Sequence, residues 1–257
     1  MKQGVLVISH GSRDSKWVEL VDASVRQAAE HMAIPVVSAF LEIVDGRLIQ
    51  DGIAELEKMG VTDLFVLPLF VSSGSTHVDE IGQAFGFPPL TDFEGDLGVF
   101  RVKANVTYGA PIDDDPEIAE VLYENIRELS LDPERETLLL VGHGSKLPVF
   151  HERWQTGLSG LCARLRELGG FAHADYAMLL PDQAADKLRE LENSRIGNEV
   201  IVVPVFLSPG YFTSHVIPSR LEGLSYRYNG RAMLPHSAIE RWIARRIQEW
   251  LAGDGKG

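Results

Sequence analysis

The pattern of apolar and polar positions predicts strands and helices that alternate along the whole chain. Short apolar runs, such as the mostly β-branched one at 5–8 and the leucine-rich one at 138–142, are typical of strands buried on both faces of a parallel sheet. Between them, apolar residues recur at helical spacing, as at Trp17, Leu20 and Val21. We predict helices at 15–31, 48–59, 78–85, 115–129, 148–168, 182–193 and 237–251, and strands at 5–8, 35–41, 63–71, 100–108, 138–142, 173–180, 199–207 and 226–234.

The second half of the chain repeats the first. The phrase His-Gly-Ser follows an apolar run at 10–12 and again at 143–145, and VLPLFVSSGSTH at 66–77 matches VVPVFLSPGYFTSH at 202–215. Such a duplication predicts two similar lobes, which we place at 1–132 and 133–257. Alternating strands and helices favour parallel sheets with right-handed crossovers. The predicted fold class is therefore α/β, with two flavodoxin-like lobes of strand order 2-1-3-4.

The net charge of the chain and the length of its apolar stretches exclude some classes of binding partner. The chain of 257 residues has a net charge of −13, which argues against nucleic-acid or anionic-membrane partners because both require basic surface. No apolar stretch approaches the ~20 residues of a membrane span, and the N-terminus has no signal-peptide pattern. We expect a cytoplasmic protein that acts as a monomer.

Three polar residues follow the first three predicted strands. His10 comes after the first, Glu42 after the second and His77 after the third. In a sheet of order 2-1-3 these strands are neighbours about 4.8 Å apart, and ligands bind beyond their carboxyl ends. Two imidazoles and a carboxylate can bind a divalent metal or move protons. The chain has no Walker loop, no glycine-rich nucleotide fingerprint and no Gly-x-Ser-x-Gly motif.

The motifs SHGSR at 9–13, FLE at 40–42 and PLFVSSGxxH at 68–77 resemble the sirohydrochlorin chelatase family, whose members insert cobalt or iron into a tetrapyrrole. The resemblance covers nearly the whole chain. It implies a class II chelatase fold with no bound nucleotide and no permanently bound cofactor. It also implies that His10, Glu42 and His77 are both the catalytic residues and the metal ligands. Sirohydrochlorin and Co²⁺ or Fe²⁺ would then be the substrates.

Further residues are candidates for contact with such a substrate. In the first lobe, backbone N–H groups, hydroxyls and a guanidinium can bind its carboxylates. These are Ser12, Arg13, Ser73, Gly74, Ser75 and Thr76. In the second lobe we predict contacts from His143, Tyr211, Phe212 and His215. By sequence, His143 and His215 match His10 and His77, whereas Leu180 stands where Glu42 would be. We therefore expect the chemistry in the first lobe and at most a weaker or vestigial site in the second.

Two other functions remain open at this point. The chain can be a two-lobed carrier that binds metal or tetrapyrrole without chemistry. It can also be a hydrolase that uses Ser12 or Ser73 with His10, although its motif lacks the sharp turn of such enzymes. Within the chelatase interpretation, the sequence does not choose between cobalt, iron and nickel.

Overall fold

The computed structural model describes residues 1–92, 94–194 and 199–253. These residues form two compact units. The first joins Met1–Ile112 to the chain from Ile239 onward, and the second is Asp113–Ala238. Both are α/β units built on a parallel sheet, which confirms the predicted fold class. In the part of the chain that the structure describes, no helix is long and apolar enough to span a membrane.

The first unit contains a parallel sheet with the predicted strand order, β2-β1-β3-β4. Its strands are β1 (Gln3–Ser9), β2 (Val36–Phe40), β3 (Asp63–Pro68) and β4 (Asn105–Tyr108). β1 is central and buried because Val5, Leu6 and Ile8 pack on both of its faces. The carboxyl ends of β1, β2 and β3 therefore lie side by side, as the sequence predicts.

Helices connect these strands. They are α1 (Ser15–Ala29), α2 (Ile49–Lys58) and α3 (Thr76–Ala84). The carboxylate of Asp14 accepts the backbone N–H of Lys16 and caps α1. In α2, Ile53 and Leu56 are fully buried against the sheet, so the apolar spacing seen in the sequence forms the core-facing stripe.

The second unit repeats this order up to its third strand. Its sheet has the order β6-β5-β7. The elements are α4 (Pro116–Ile126), β5 (Glu136–Gly144), α5 (Pro148–Gly169), β6 (His173–Leu180), α6 (Ala184–Asn193), β7 (Glu199–Pro204) and α7 (Ile217–Arg220). A π-helical segment, Phe212–Val216, precedes α7.

The strand predicted at 226–234 is wrong. Only a single bridge joins this segment to the sheet, from Arg227 to Ile201 in β7. The pairing stops because Gly230 adopts a left-handed φ of 70° and the side chain of Asn229 accepts the backbone N–H of Arg231. This local turn takes the backbone groups that a longer ladder would use.

The last helix of each repeat packs in the other unit. α4 belongs to the second unit, where Tyr123 contacts Phe171 edge-on. The C-terminal helix α8 (Ser237–Ala252) packs in the first unit, where Trp250 stacks on Phe65 of β3 at 5.3 Å. The division at 132 stays a prediction about the sequence repeat, since the compact units follow different bounds.

A buried carboxylate holds the start of β5. The side chain of Glu136 is 2% exposed and accepts hydrogen bonds from Ser130 Oγ (2.5 Å), the backbone N–H groups of Leu131 and Asp132, and Arg227 Nη1 (2.7 Å). Burial raises the pKa of Glu136, but these hydrogen bonds outweigh it and hold the pKa below its ordinary value. Glu136 thus ties the chain between α4 and β5 to Arg227.

We expect Glu136→Gln to lower the free energy of unfolding by about 1–3 kcal/mol, because bonds to a charged acceptor become bonds to a neutral one. Glu134→Gln, an equal charge change at an exposed neighbour, is the control and should cost little. Urea unfolding measures both.

The pH dependence of that loss follows from the lowered pKa of Glu136. Its stabilisation is complete above the unfolded value of about 4.3 and is lost as pH falls through the folded value. The gap between wild type and Glu136→Gln should therefore shrink on acidification. A gap that stays constant from about pH 7 to about pH 3 would contradict this assignment.

Candidate functional site

The backbone brings Glu42 beside His10. Beyond the last paired residues of β1 and β2, Leu41 N–H donates to Ser9 O at 2.8 Å and Glu42 N–H donates to His10 O at 3.1 Å. Gly11 has a φ of 102°, and a Cβ placed on it would lie 2.1 Å from the carbonyl oxygen of Glu42. Only glycine permits this approach, so His10 and Glu42 are placed by main-chain contacts.

His10 places Nε2 beside the carboxylate of Glu42. Its Nδ1 lies 3.3 Å from the carbonyl oxygen of Gly11, and its Nε2 lies 3.6 Å from Glu42 Oε1. Because a carbonyl only accepts, the contact with Gly11 favours the proton on Nδ1, and Nε2 then offers its lone pair to a cation placed between it and Glu42. Tetrahedral ligands about 2.1 Å from a metal are about 3.4 Å apart. The two atoms thus have nearly the spacing that a shared divalent cation requires.

His77 completes the group predicted from the sequence. The hydroxyl of Ser72 accepts Gly74 N–H at 2.9 Å, and the turn leads directly into α3, whose second residue is His77. The ring of His77 lies 5.0 Å from that of His10, with an interplanar angle of 76°. The side chains of His10, Glu42 and His77 are 41%, 55% and 39% exposed. The site is therefore open to solvent at the edge of the sheet.

The three side chains do not form a closed cage. Among residues 1–92, 94–194 and 199–253, no group of three or more His, Cys, Asp or Glu side chains is arranged to hold a metal ion. Two imidazoles and one carboxylate are ligand types for a divalent metal, and their exposure leaves positions open to water or substrate.

A fourth side chain, that of Glu80, joins the group and was not predicted from the sequence. Its Oε2 lies 3.0 Å from Nδ1 of His77, and the residue is 9% exposed. The two residues are three positions apart on α3, where side chains share a face. The pattern His-x-x-Glu was the available signal. It indicates a contact between the two side chains only if both residues are helical, and the structure shows that α3 begins at Thr76.

The other candidates in the first unit lie in the loops around this group. Ser12 Oγ accepts the backbone N–H of Asp14 at 3.0 Å, and Arg13 is exposed. Ser73, Gly74 and Ser75 form the turn before α3, and Thr76 is its first residue. The structure places all of them at the carboxyl edge of the sheet, and their contact with a substrate stays a prediction.

The second unit has the same backbone arrangement with different side chains. His143 Nδ1 lies 3.0 Å from Gly144 O, and a Cβ on Gly144 would lie 2.4 Å from the carbonyl oxygen of Leu180. Leu180 thus occupies the position of Glu42, as the sequence predicts. This unit has no carboxylate at that position.

The sequence match of His215 with His77 is wrong in the structure. The ring that lies against His143 is that of Phe212, at 5.2 Å and 78°, nearly the values of the His10–His77 pair. His215 instead stacks on Tyr211 at 5.5 Å. The loop is two residues longer here, and the π-helical segment Phe212–Val216 takes up the extra length. Tyr211 is 71% exposed, so this edge presents an aromatic surface.

Comparisons with known proteins find the same family match in both halves of the chain. The family model CbiX matches residues 4–129 and again residues 137–250. A sirohydrochlorin ferrochelatase of Bacillus subtilis is 26% identical over 167 residues, which cover 63% of this chain and 58% of that protein. A sirohydrochlorin cobaltochelatase of Methanococcoides burtonii is 27% identical over 129 residues, covering 50% of this chain and 97% of its own length.

A solved structure shows the same fold. SirB from Bacillus subtilis with Fe³⁺ superposes with a TM-score of 0.77 at 22% identity, covering 100% of this chain and 98% of SirB. The match extends over both units.

We expect Gly11→Ala to destabilise the protein more than Gly60→Ala. Both glycines have a positive φ, 102° and 86°, but a Cβ at position 60 meets nothing nearer than Lys2 Cδ at 3.8 Å. The left-handed backbone costs about 1–2 kcal/mol at either position, and the clash with Glu42 adds about 1–3 kcal/mol. Urea unfolding compares them, and equal losses would show that Gly11 does not place Glu42.

Proposed function

The chain belongs to the CbiX family, and we propose that it inserts Co²⁺ or Fe²⁺ into sirohydrochlorin, with the reaction in the first unit. The observation that carries the proposal is the meeting of His10, Glu42 and His77 at three neighbouring strand ends. Two relatives are named for this reaction, one with iron and one with cobalt. The product would serve sirohaem or cobalamin synthesis.

The reaction needs groups that bind a metal and groups that accept protons. A divalent ion must lose bound water, and the macrocycle must lose two pyrrole N–H protons as its nitrogens bind the metal. Neutral imidazole is a good ligand for Co²⁺ and Fe²⁺ and also a base. We assign Nε2 of His10 and of His77 to the metal, and Glu42 to charge balance and to one of the two departing protons. As the metal moves to the macrocycle nitrogens, an Nε2 that it has left accepts the other proton.

The exposure of the three side chains, and the residues around them, favour a site from which a metal is transferred to a substrate. The three side chains are between 39% and 55% exposed, so a flat macrocycle can approach the ion from solvent. The turn 73–76 and Arg13 lie where they can bind its carboxylates. The metal and the tetrapyrrole are both substrates, and no permanently bound cofactor is required.

The rival functions fit the geometry less well. A carrier holds its metal among closed ligands, whereas this site is open. A hydrolase needs a serine hydroxyl that donates to His10, but the two ring nitrogens of His10 lie against the Gly11 carbonyl and the Glu42 carboxylate rather than against Ser12 or Ser73. Four further expectations stay predictions: the monomeric state, the cytoplasmic location, and the absence of nucleic-acid and of membrane partners.

We expect His10→Ala and His77→Ala each to lower the rate of metal insertion by at least ~10²-fold, because each removes a ligand or base. His31→Ala, at an exposed site after α1, is the control for loss of an imidazole. The absorbance of sirohydrochlorin on mixing with protein and Co²⁺ measures the rate. Rates near wild type in both variants, with unchanged circular dichroism, would refute the site.

We expect Tyr211→Ala to raise KM for the tetrapyrrole several-fold with little change in kcat, because an exposed aromatic ring can stack on a flat macrocycle. Leu131→Ala removes another side chain of the second unit that is 79% exposed and should change neither constant. Glu42→Gln should show the opposite pattern, a lower kcat. An unchanged KM in Tyr211→Ala would exclude this ring from substrate binding.

A further inference from the structure

The strongest unexplained feature of the site is the buried partner of His77. Glu80 Oε2 lies 3.0 Å from His77 Nδ1, and the side chain of Glu80 is only 11% exposed. A carboxylate is costly to bury unless a specific partner compensates it. An ion pair between residues three apart on a helix surface contributes too little free energy to offset the cost of burying a carboxylate. Stability alone therefore does not explain the contact between Glu80 and His77.

The loop after α3 holds Glu80 in place. A Cβ on Gly95 would lie 2.8 Å from Cγ of Glu80, so the loop backbone packs directly on this side chain. Two further contacts fasten the loop to α3: Gly95 N–H donates to Gln83 Oε1, and Leu90 N–H donates to Asp79 Oδ1. The carboxylate is therefore covered by protein on one side and meets the imidazole of His77 on the other.

The two histidines of the site are supported differently. Nδ1 of His10 faces a neutral backbone carbonyl at 3.3 Å, whereas Nδ1 of His77 faces a carboxylate at 3.0 Å. A carboxylate only accepts, so it fixes the proton on Nδ1 and leaves the lone pair on Nε2. Histidines that bind metals commonly have such a partner, which sets the tautomer and ring orientation and strengthens the ligand.

We infer that Glu80 is a positioning residue for metal insertion: it holds His77 in the Nδ1–H tautomer, so that Nε2 meets the incoming metal. The inference rests on the proposed function, but the tautomer itself does not. The second unit agrees with it. There Phe212 stands against His143 in the place of His77, and the residue three positions later is His215 rather than a carboxylate. Where the imidazole is missing, its acidic partner is missing too.

The test compares Glu80→Gln with Asp79→Asn. Both changes replace a buried acid of α3 by its amide, and Asp79 bonds to Gln83 and to the backbone of Leu90 rather than to a histidine. The amide at position 79 keeps the Oδ1 that accepts the Leu90 N–H, so the contact that fastens the loop over Glu80 is retained. Gln can turn its NH₂ toward Nδ1, which stabilises the Nε2–H tautomer instead. Long-range ¹H–¹⁵N spectra of histidine-labelled protein report the tautomer of His77, and steady-state kinetics report kcat/KM for Co²⁺.

We expect wild type and Asp79→Asn to show only the Nδ1–H tautomer at His77, with values of kcat/KM within about threefold of each other. Glu80→Gln should populate the Nε2–H tautomer and lose about 10–100-fold in kcat/KM for the metal, with unchanged circular dichroism. Gly95→Ala, which displaces Glu80 without removing its charge, should reproduce part of the loss.

An Nε2–H tautomer in wild type, or a Glu80→Gln variant equal to wild type in both measurements, would overturn the inference. An equal loss in Asp79→Asn would also overturn it, because the effect would then belong to the helix as a whole. If wild type inserts no metal, the proposed function fails, while the spectra still decide whether Glu80 sets the tautomer of His77.

Discussion

The candidate site depends on one main-chain contact, the approach of Gly11 to the carbonyl of Glu42. It lets the ladder between the first two strands continue to His10 and Glu42. The next residue, Ile43, adopts a φ of 73°, which is unfavourable for a β-branched side chain. The chain thus turns sharply at the point where the carboxylate is needed. The short turn after β3 places His77 at the same edge of the sheet. The three side chains are therefore brought together by the backbone at the carboxyl ends of the strands.

The second unit shows that this backbone arrangement does not by itself make a metal site. Gly144 approaches Leu180 as Gly11 approaches Glu42, and His143 bonds to the carbonyl after it as His10 does. The side chains around it are a leucine and a phenylalanine, which neither balance a charge nor bind a metal. Duplication thus supplied two similar backbone frames, and the first of them carries the two imidazoles and the carboxylate.

Local patterns predicted most of the fold, because each strand and helix has its own periodicity and 2-1-3-4 is a common order for a small parallel sheet of this kind. Contacts between distant segments were not predictable. The exchange of α4 and α8 between the units depends on tertiary packing, such as Trp250 on Phe65. The position of Phe212 against His143 depends on a π-helical segment, which a comparison of the two repeats by sequence does not reveal. The role of Glu80 depends on where α3 begins and on a loop that covers it.

The most direct test of the account is the position of cobalt in crystals of the protein soaked with Co²⁺, located by anomalous scattering at the cobalt absorption edge. The account predicts a peak in the first unit about 2.1 Å from Nε2 of His10 and of His77, beside the carboxylate of Glu42. A peak at His143 or His215, with none at His10, would contradict it and place the chemistry in the second unit.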